Sequence, residues 1–320
     1  MSNLRVAILV PPDAPQEAAD RADTFLQAAE ISECLSILGN KRLTIIFADD
    51  RNRTETDLRR AAPDVVVNLV EDVPEGADHL HLATEMLDSL GLRYTGAPTA
   101  ALQALADKRQ VRAALRRAGL PVAPGLTEGD PSATYVVKSA TEHASIGIDQ
   151  TSIVAGREAA AAVIADRQRR HGGDWFAEAF IDGREFNVSL LDGPTGPTAL
   201  PVAEILFLAH TDRPKIVGYE EKWADASAAY AATPRAFPSA AADRRLLAEL
   251  QRLALAAWAL FGLSGYARLD FRVAADGQPY ILDVNANPCL ARDAGFCAAA
   301  QQAGLSQTDI VAQLLETALA

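Results

Sequence analysis

The chain has 320 residues, of which 49% are hydrophobic and 22% are charged, and its formal net charge is −12. This composition excludes a disordered chain, and the lack of a Lys/Arg cluster argues against a nucleic-acid or anionic-lipid surface. We expect two or three modules, because the chain is too long for one small core. The three scattered cysteines suit a reducing compartment, and the apolar run Val6–Val10 is too short for a signal peptide or a membrane span, so we expect a cytoplasmic protein.

The first third of the chain alternates predicted strands and helices. The apolar runs "RVAILV", "RLTIIF" and "DVVVNLV" are typical of buried parallel strands. Helical spacing predicts one helix that ends at Gly39 and a second over roughly 79–90; the first carries Phe25, Ala28, Ile31, Leu35 and Leu38 on one face. Together these elements predict a doubly wound α/β unit. The first strand runs into "PPDAP" instead of a G-x-G-x-x-G turn, which disfavours a dinucleotide-dependent enzyme.

The middle of the chain begins with a short predicted helix over 107–119 and a break at "GLPVAPG", which indicates a module boundary. Strand patterns follow in "TYVVKSA", "DWFAEAFI" and "REFNVSLLDG". The last section holds a strong helical pattern that Gly262 ends; its apolar residues are Leu246, Leu250, Leu253, Ala257, Trp258 and Phe261.

The segment "YARLDFRVAADGQPYILDVNANP" is predicted to form a hairpin, because Asp276-Gly277 is a preferred two-residue turn. With that turn, Asp270 lies opposite Asp283, and Arg268 lies opposite Asn285 on the same face. The other face is apolar and is expected to meet the core; its residues are Ala267, Leu269, Phe271, Val273, Leu282 and Val284.

Two carboxylates that face each other on a sheet repel, and within the hairpin only Arg268 compensates. A divalent cation would relieve the repulsion. Two carboxylates and an amide oxygen suit Mg²⁺, which keeps several waters and takes further ligands from substrate phosphates. The hairpin therefore predicts a metal site of Asp270, Asp283 and Asn285; the alternative is a solvated face that tolerates its aspartate pair.

"RLDF" followed by "LDVNANP" resembles the metal-binding end of ATP-grasp enzymes, and the whole chain resembles the D-alanine–D-alanine ligase branch of that superfamily. Four further segments carry the resemblance in the same order along the chain: "YTGAPTAALQALADKRQVRAALRRAGLPVAP", "YVVKSATEHASIGI", "FAEAFIDGREF" and "YEEKW". They resemble the join between the first and middle modules, the phosphate lid, the adenine hinge and a lysine-bearing loop.

The resemblance implies a fold class of α/β and α+β, an ATP-grasp fold with an N-terminal doubly wound parallel-sheet domain. The implied boundaries are 1–104 for this N-terminal domain, 105–184 for a central lid subdomain and 185–320 for a C-terminal subdomain with the metal-binding hairpin. The implied cofactors are ATP and Mg²⁺, as two ions that bridge the β- and γ-phosphates and that Mn²⁺ can replace.

The resemblance also assigns roles to single residues. The implied phosphate ligands are Lys108, Lys138 and Lys222; Lys138 lies in an apolar strand, where an unpaired ammonium would be costly. The implied lid residues are Ser145, Ile146 and Gly147. The implied adenine hinge, which reads the base through its backbone, is formed by Glu178, Ala179, Phe180 and Ile181.

Glu185 would accept hydrogen bonds from the ribose, and Asp270, Asp283 and Asn285 would hold the metal. The implied catalytic residues are Arg268, Lys222 and Ser145. Arg268 would stabilise negative charge on an acyl phosphate and a tetrahedral intermediate, and backbone N–H groups around Cys289–Leu290 could share that role.

The implied activity is ATP-dependent carboxylate–amine ligation through an acyl phosphate, with ADP and phosphate released. The sequence departs from the family around the substrates: the first-strand region lacks a cleanly placed Glu, Ala144 stands at a lid Ser position, and Trp223 stands at a Tyr position. We therefore expect the substrate to be an amino acid or amino-acid derivative other than two D-alanines, used in a biosynthetic pathway. The expected reactions include an intramolecular cyclisation.

Two alternatives stay open: a true D-alanine–D-alanine ligase of cell-wall synthesis, and a non-catalytic ATP-binding protein. The expected partners are small amino-acid-like molecules, with no nucleic acid and no membrane, and a homodimer is expected by family analogy.

Two features that could suggest a metal site or a nucleophile are not assigned to a site. His79 and His81 are expected in a helix, where such positions do not share a face, and Cys289 has no evident histidine partner.

Overall fold

The protein is described by a computed structural model for residues 3–11, 19–48 (the backbone alone for 19–23), 50–71, 73, 79–142, 148–208, 214–216, 233–238 and 241–320. These residues form three sheets. A three-stranded parallel sheet lies near the N-terminus, a three-stranded antiparallel sheet lies in the middle, and a six-stranded antiparallel sheet lies toward the C-terminus.

In the first sheet, β1 (Arg5–Val10) lies between β2 (Arg42–Phe47) and β3 (Val65–Asn68), and all three strands are parallel. Helices α1 (Ala19–Ile37), α2 (Arg51–Ala61) and α3 (His81–Ser89) pack around it. Alternate residues of β1 belong to two different apolar clusters, one with α1 and the other with α2 and α3. The strand is therefore buried on both faces, which confirms the predicted doubly wound α/β unit.

The second predicted helix of this unit is shorter than its expected range of 79–90. It begins at His81, so His79 precedes it, and the two imidazole rings stack with centroids 6.1 Å apart. The expectation that these residues lie on different faces of one helix is wrong, because His79 lies in the turn before the helix. Among the described residues no group of three His, Cys, Asp or Glu side chains could hold a metal ion, so the stacked pair gains no further ligand of these types.

The middle sheet is preceded by α4 (Thr99–Leu105) and α5 (Lys108–Arg117), and the Asp107 carboxylate caps α5 by accepting from the Arg109 N–H. In the sheet, β4 (Thr134–Ser139) lies between β5 (Ile153–Ala155) and β6 (Trp175–Ala179). Helix α6 (Arg157–His171) covers one side through an apolar cluster. The main-chain N–H of Lys108 donates to the carbonyl of Ala140, 2.8 Å away, which holds the start of α5 beside the end of β4.

The third sheet has the order β10–β9–β7–β11–β12, with β8 paired to β7. Its strands are β7 (Gly183–Leu191), β8 (Thr198–Ala199), β9 (Ala203–Ile205), β10 (Arg235–Ala236), β11 (Tyr266–Ala274) and β12 (Pro279–Asn285). The remaining α-helices of the described residues are α7 (Arg244–Phe261), α8 (Gly295–Gln302) and α9 (Gln307–Leu319). One face of the sheet packs on α7, which matches the strong helical pattern of the sequence and ends at Gly262 with a φ of 60°.

The predicted pairing of the hairpin is confirmed at its polar end, where Asp270 pairs with Asp283 and Arg268 pairs with Asn285. The predicted two-residue turn is wrong. Ala274 pairs with Gln278 across a three-residue loop, and a bulge shifts the register between Asp270 and Phe271. Beyond the bulge, Phe271 pairs with Ile281 and Arg272 pairs with Tyr280. The bulge offsets the odd loop length, so the site keeps its expected register.

Because of the bulge, the apolar face of the hairpin differs from the predicted one. Ile281 and Val284 are buried against the core, whereas Leu282 is half-buried and does not join them.

Among the described residues, no helix combines the length and the apolar character that a membrane span requires.

Candidate functional site

Polar side chains cover the face of the third sheet that points away from α7. They come from three adjacent strands in register: Asn187 of β7 pairs with Asp270 of β11, and Asp270 pairs in turn with Asp283 of β12. Alternate residues of these strands are apolar and lie in the core. The period of two therefore collects Glu185, Asn187, Arg268, Asp270, Arg272, Asp283 and Asn285 on one surface.

Asp270 is the most heavily bonded carboxylate of this surface. Arg268 donates to it twice, from Nε to Oδ1 at 2.7 Å and from Nη2 to Oδ2 at 2.9 Å. Asn187 donates to Oδ1 at 2.7 Å, and the Asn285 amide donates to Oδ2 at 3.2 Å. Burial lowers the pKa of the Arg268 guanidinium, but the charge of Asp270 and its hydrogen bonds outweigh burial, so the pKa is raised. Arg268 is thus a permanent cation at this surface.

Asp283 meets a second cation from another part of the fold. The Lys108 Nζ lies 3.8 Å from Asp283 Oδ2 and donates to the carbonyl of Glu142 at 2.6 Å. Lys108 can reach this position because the first turn of α5 lies beside the end of β4. The structure therefore brings Lys108 to the predicted metal ligands, a proximity that the sequence did not indicate.

The donor set suits a hard divalent cation. Two carboxylates and the amide of Asn285 occupy neighbouring register positions, and the amide turns its nitrogen toward Asp270, which leaves its oxygen for another partner. Arg268 and Lys108 balance the two negative charges by side-chain contacts of 2.7 and 3.8 Å. Oxygen ligands of this kind are those that Mg²⁺ and Ca²⁺ take in proteins.

Lys138 and Glu178 form a buried ion pair in the middle sheet. The Lys138 Nζ lies 2.6 Å from Glu178 Oε1, and the Glu178 side chain is 2% exposed. On the other side, the Arg112 Nε lies 2.7 Å from Glu178 Oε2. The sequence predicted that Lys138 needs compensation, but it gave no role to Arg112 or to the side chain of Glu178. Two cations around one carboxylate leave a net positive charge beside the predicted nucleotide segments.

The predicted hinge covers the last two residues of β6 and the two residues after it, and part of its backbone is already hydrogen-bonded. The N–H of Ala179 donates to the Pro124 carbonyl, and the N–H of Phe180 donates to the Thr134 carbonyl, each at 2.8 Å. These two N–H groups cannot also read a base. The predicted contacts with adenine are therefore restricted to the N–H group of Ile181 and to the carbonyl groups of the hinge.

Glu185, the predicted ribose ligand, is bonded to Arg272 of the neighbouring strand. The Arg272 Nε lies 2.9 Å from Glu185 Oε2, and Nη2 lies 2.6 Å from the same oxygen. Arg272 is buried. It was not predictable from the sequence, because it lies outside the motifs and its partner is 87 residues earlier in the chain.

The segment after β12 is hydrogen-bonded to the N-terminal α/β unit. Asn287 donates from Nδ2 to the carbonyl of Val70 at 3.0 Å and accepts from the hydroxyl of buried Tyr266, whose pKa is raised by burial. The N–H of Leu290 donates to the side-chain oxygen of Gln27 in α1. The expectation that the Leu290 N–H stabilises a developing oxyanion is therefore wrong for this structure, because that group already has a buried acceptor.

Several predicted residues lie outside the described part of the chain. Ser145 and Lys222 are among them, and so are the lid residues Ile146 and Gly147. The substrate-pocket departures Ala144 and Trp223 lie there too.

Comparisons with known proteins identify the family of the chain. The family model for the D-ala D-ala ligase C-terminus matches residues 131–316. The chain is 31% identical over 312 residues to the D-alanine–D-alanine ligase of Gluconobacter oxydans, which covers 95% of this chain and 96% of that protein. It is 30% identical over 320 residues to the D-alanine–D-alanine ligase of Moorella thermoacetica, with 94% and 96% of the two chains covered.

The fold is also shared with solved structures. A crystal structure of the D-alanine–D-alanine ligase from Bacillus anthracis complexed with ATP superposes with a TM-score of 0.74 at 20% identity and covers 99% of this chain and 97% of that one. A second structure of that enzyme gives a TM-score of 0.76 at 21% identity, with the same coverage. At these identities the structures establish the fold. With the family match and the full-length relatives, they show that the chain belongs to the D-alanine–D-alanine ligase family of ATP-grasp enzymes, which use ATP and form a C–N bond.

Proposed function

We propose that the protein joins two D-alanine molecules in an ATP-dependent reaction that releases ADP and phosphate. The observation that carries the proposal is the polar surface formed by Arg268, Asp270, Asp283 and Asn285, which offers oxygen ligands and a fixed cation side by side. The names of the two full-length relatives support D-alanine as the substrate.

In the proposed reaction, the carboxylate of the first substrate accepts the γ-phosphoryl group of ATP, and the amine of the second substrate displaces phosphate to form the amide. Asp270, Asp283 and Asn285 would hold two Mg²⁺ ions, or Mn²⁺ in their place. Bound metal supplies neutralisation of the charge on the phosphates. Lys108, Lys138 and Lys222 contribute further positive charge, and Arg268 stabilises the anionic acyl phosphate and tetrahedral intermediate, with Ser145 in the lid.

Lys138 has a specific requirement in this scheme. Its ammonium is bonded to Glu178, so contact with a phosphate needs a displacement of the lysine side chain from that carboxylate. A buried carboxylate without a counter-charge would oppose the displacement. Arg112, 2.7 Å from the other oxygen of Glu178, supplies a counter-charge that stays in place. The adenine would lie against the hinge of Glu178, Ala179, Phe180 and Ile181, with the ribose at Glu185.

The second candidate is the same ligation with a different amino acid or amino-acid derivative, intramolecular cyclisation included. Ala144 and Trp223 favour it, because a methyl group and an indole stand where the family carries hydroxyl groups near the substrate. A pocket that loses such partners leaves polar substrate groups unpaired, at about 1–3 kcal/mol for each neutral group.

Steady-state phosphate release with D-alanine as the only amino acid separates the two candidates. Turnover with a kcat/KM in the usual enzyme range, about 10⁴ M⁻¹s⁻¹ or more, supports D-alanine–D-alanine ligation. No phosphate release with D-alanine, together with release for another amino acid in a parallel screen, supports the second candidate. The division at residues 104 and 184, a homodimer and a cytoplasmic location stay predictions; the two division points fall within α4 and β7.

A further inference from the structure

Arg272 is a buried cation on the polar surface that has no part in the chemistry proposed so far. Its side chain is 5% exposed, and an arginine is rarely buried to this extent unless it is paired. The partner is Glu185 on the adjacent strand β7, directly opposite in register. The pair therefore lies within the sheet, two residues along β11 from Asp270.

The guanidinium fixes Glu185 in one orientation. Its Nε and Nη2 atoms lie 2.9 and 2.6 Å from the same carboxylate oxygen, Oε2. Arg272 therefore does not use Oε1, which keeps its capacity to accept a hydrogen bond from a bound molecule. A carboxylate that is held by two donors before a ligand arrives loses less conformational freedom on binding.

The same guanidinium also contacts the predicted hinge and two segments outside it. Its Nη1 lies 3.5 Å from the carbonyl oxygens of Ile181 and Gly183, in and just after the hinge. Its Nη2 donates to the carbonyl of Lys215. The rings of Phe180 and Phe207 lie 5.7 and 5.1 Å from the guanidinium carbon, within the range of cation–π attraction; these two residues belong to the hinge and to the segment after β9.

From these contacts we infer that Arg272 is a positioning residue for nucleotide recognition: it orients Glu185 toward the ribose hydroxyls and connects the hinge to the segments that carry Phe207 and Lys215. The inference rests on the proposed function, because that proposal puts the ribose at Glu185. In this inference, Glu185 and Arg272 together, and not Glu185 alone, select a nucleotide with ribose hydroxyls.

The test compares ATP with 2′,3′-dideoxy-ATP, which lacks both ribose hydroxyls. Binding is measured by titration calorimetry with Mg²⁺ for the wild type, Arg272→Met, Glu185→Gln and the double variant. We expect the wild type to prefer ATP by about tenfold or more, since a hydrogen bond to a charged group is being lost. Arg272→Met and Glu185→Gln should each reduce this preference toward one, and the double variant should reduce it no further, because the two residues act as one unit.

Arg184→Met is the matched control. Arg184 precedes Glu185 in β7, points to the other face of the sheet, and is paired with Glu204 and Asp243, with its guanidinium 4.8 Å from the ring of Phe186. This variant also breaks an arginine–carboxylate network, yet we expect it to keep the preference for ATP. In steady-state assays, Arg272→Met should raise the KM for ATP more than it lowers kcat.

Equal losses of affinity for both nucleotides in Arg272→Met would overturn the inference. It would also be overturned if the double variant reduced the preference for ATP by the product of the two single reductions. If circular dichroism shows that Arg272→Met does not fold, Arg272→Lys decides. It keeps the charge but loses the two-donor fork, so an unchanged preference for ATP would contradict the inference. A wild type that does not bind ATP overturns the proposed function itself, which distinguishes the two failures.

Discussion

The carboxylate of the middle sheet and the two carboxylates of the hairpin are balanced by cations in different ways. In the middle sheet, Glu178 is 2% exposed and has Lys138 and Arg112 at 2.6 and 2.7 Å. One negative charge therefore meets two positive charges in a dry environment. The surplus charge suits an anion, and Lys138 can leave while Arg112 keeps Glu178 neutralised.

In the hairpin, two negative charges meet two positive charges, and the contacts are unequal. Asp270 and Asp283 are 18% and 29% exposed; Arg268 holds Asp270 at 2.7 Å, whereas Lys108 stays 3.8 Å from Asp283. The contact of Lys108 is the weaker one, so an added cation can replace it. The two clusters therefore differ in their charge balance: the Glu178 cluster carries a surplus positive charge, which fits the proposed phosphate contact, and the hairpin cluster is balanced, which fits the proposed metal site.

The largest effect should follow from Asp283→Asn. The substitution keeps the shape of the side chain but removes one anionic ligand, and Mg²⁺ depends on that charge. We expect turnover at limiting Mg²⁺ to fall by about 100-fold or more, since even residues that only support a metal ligand typically cost about 10–100-fold. Phosphate release is measured across Mg²⁺ concentrations. Asp276→Asn, in the hairpin loop, is the control, and equal activities of the two variants would remove Asp283 from the metal site.

Glu178→Gln should have the largest effect on stability. It leaves Lys138 and Arg112 buried beside a neutral group, and breaking a buried pair costs about 3–5 kcal/mol. Urea denaturation should show a free energy of unfolding lowered by about 3 kcal/mol. Glu249→Gln, which breaks a surface pair with Arg252, is the control. If both variants lose the same stability, burial does not set the two clusters apart.

Lys138→Ala should weaken nucleotide binding in a way that depends on the phosphates. We expect ATP to bind about tenfold more weakly, because a charge-assisted contact is lost, while adenosine changes less than about twofold. Titration calorimetry with both ligands measures the ratio, and Lys41→Ala, at an exposed position, serves as control. Equal losses for ATP and adenosine would mean that the Glu178 cluster does not serve phosphate binding.

The smallest effect should come from an exposed pair that gives the baseline for both clusters. Glu128 is 47% exposed, and its hydrogen bond from Arg116 and the N–H of Gly125 lower its pKa from the usual 4.5 to about 2. Because the folded pKa is the lower one, the stabilisation is present above pH 4.5 and is lost as the pH falls toward 2. Glu128→Gln should remove less than about 1 kcal/mol at neutral pH. Urea denaturation from pH 7 to 3 should show this difference shrinking; a difference that grows toward low pH contradicts the assignment.

Much of the fold was predictable because it depends on local patterns. The three apolar runs of the first sheet, the periodicity of α7 and the alternation in the hairpin each extend over a few consecutive residues. The pairing of Asp270 with Asp283 was predictable for the same reason. The bulge and the three-residue loop were not predictable. A two-residue turn without a bulge and a three-residue loop with a bulge place the same number of residues between Asp270 and Asp283, so only three-dimensional packing selects between them.

The ion pairs of the site were not predictable from local patterns. Lys138 and Glu178 are 40 residues apart in sequence, and Arg272 and Glu185 are 87 apart. No spacing rule joins such positions; a strand order and a register are needed first. The roles of Lys108 and Lys138 came from a family resemblance, whereas Arg112 and Arg272 carried no motif and became visible only through their contacts.

The contacts of Asn287 and Leu290 have a consequence for how the protein is made. Asn287 bonds to Val70 across 217 residues, and Leu290 bonds to Gln27 across 263. During vectorial synthesis the first sheet emerges long before its partners, so it must persist on the ribosome with that surface uncovered. The strand that carries Asp283 and Asn285 is joined to the first sheet only after Asn287 and Leu290 have been synthesised, so the proposed metal ligands join the site late in its assembly.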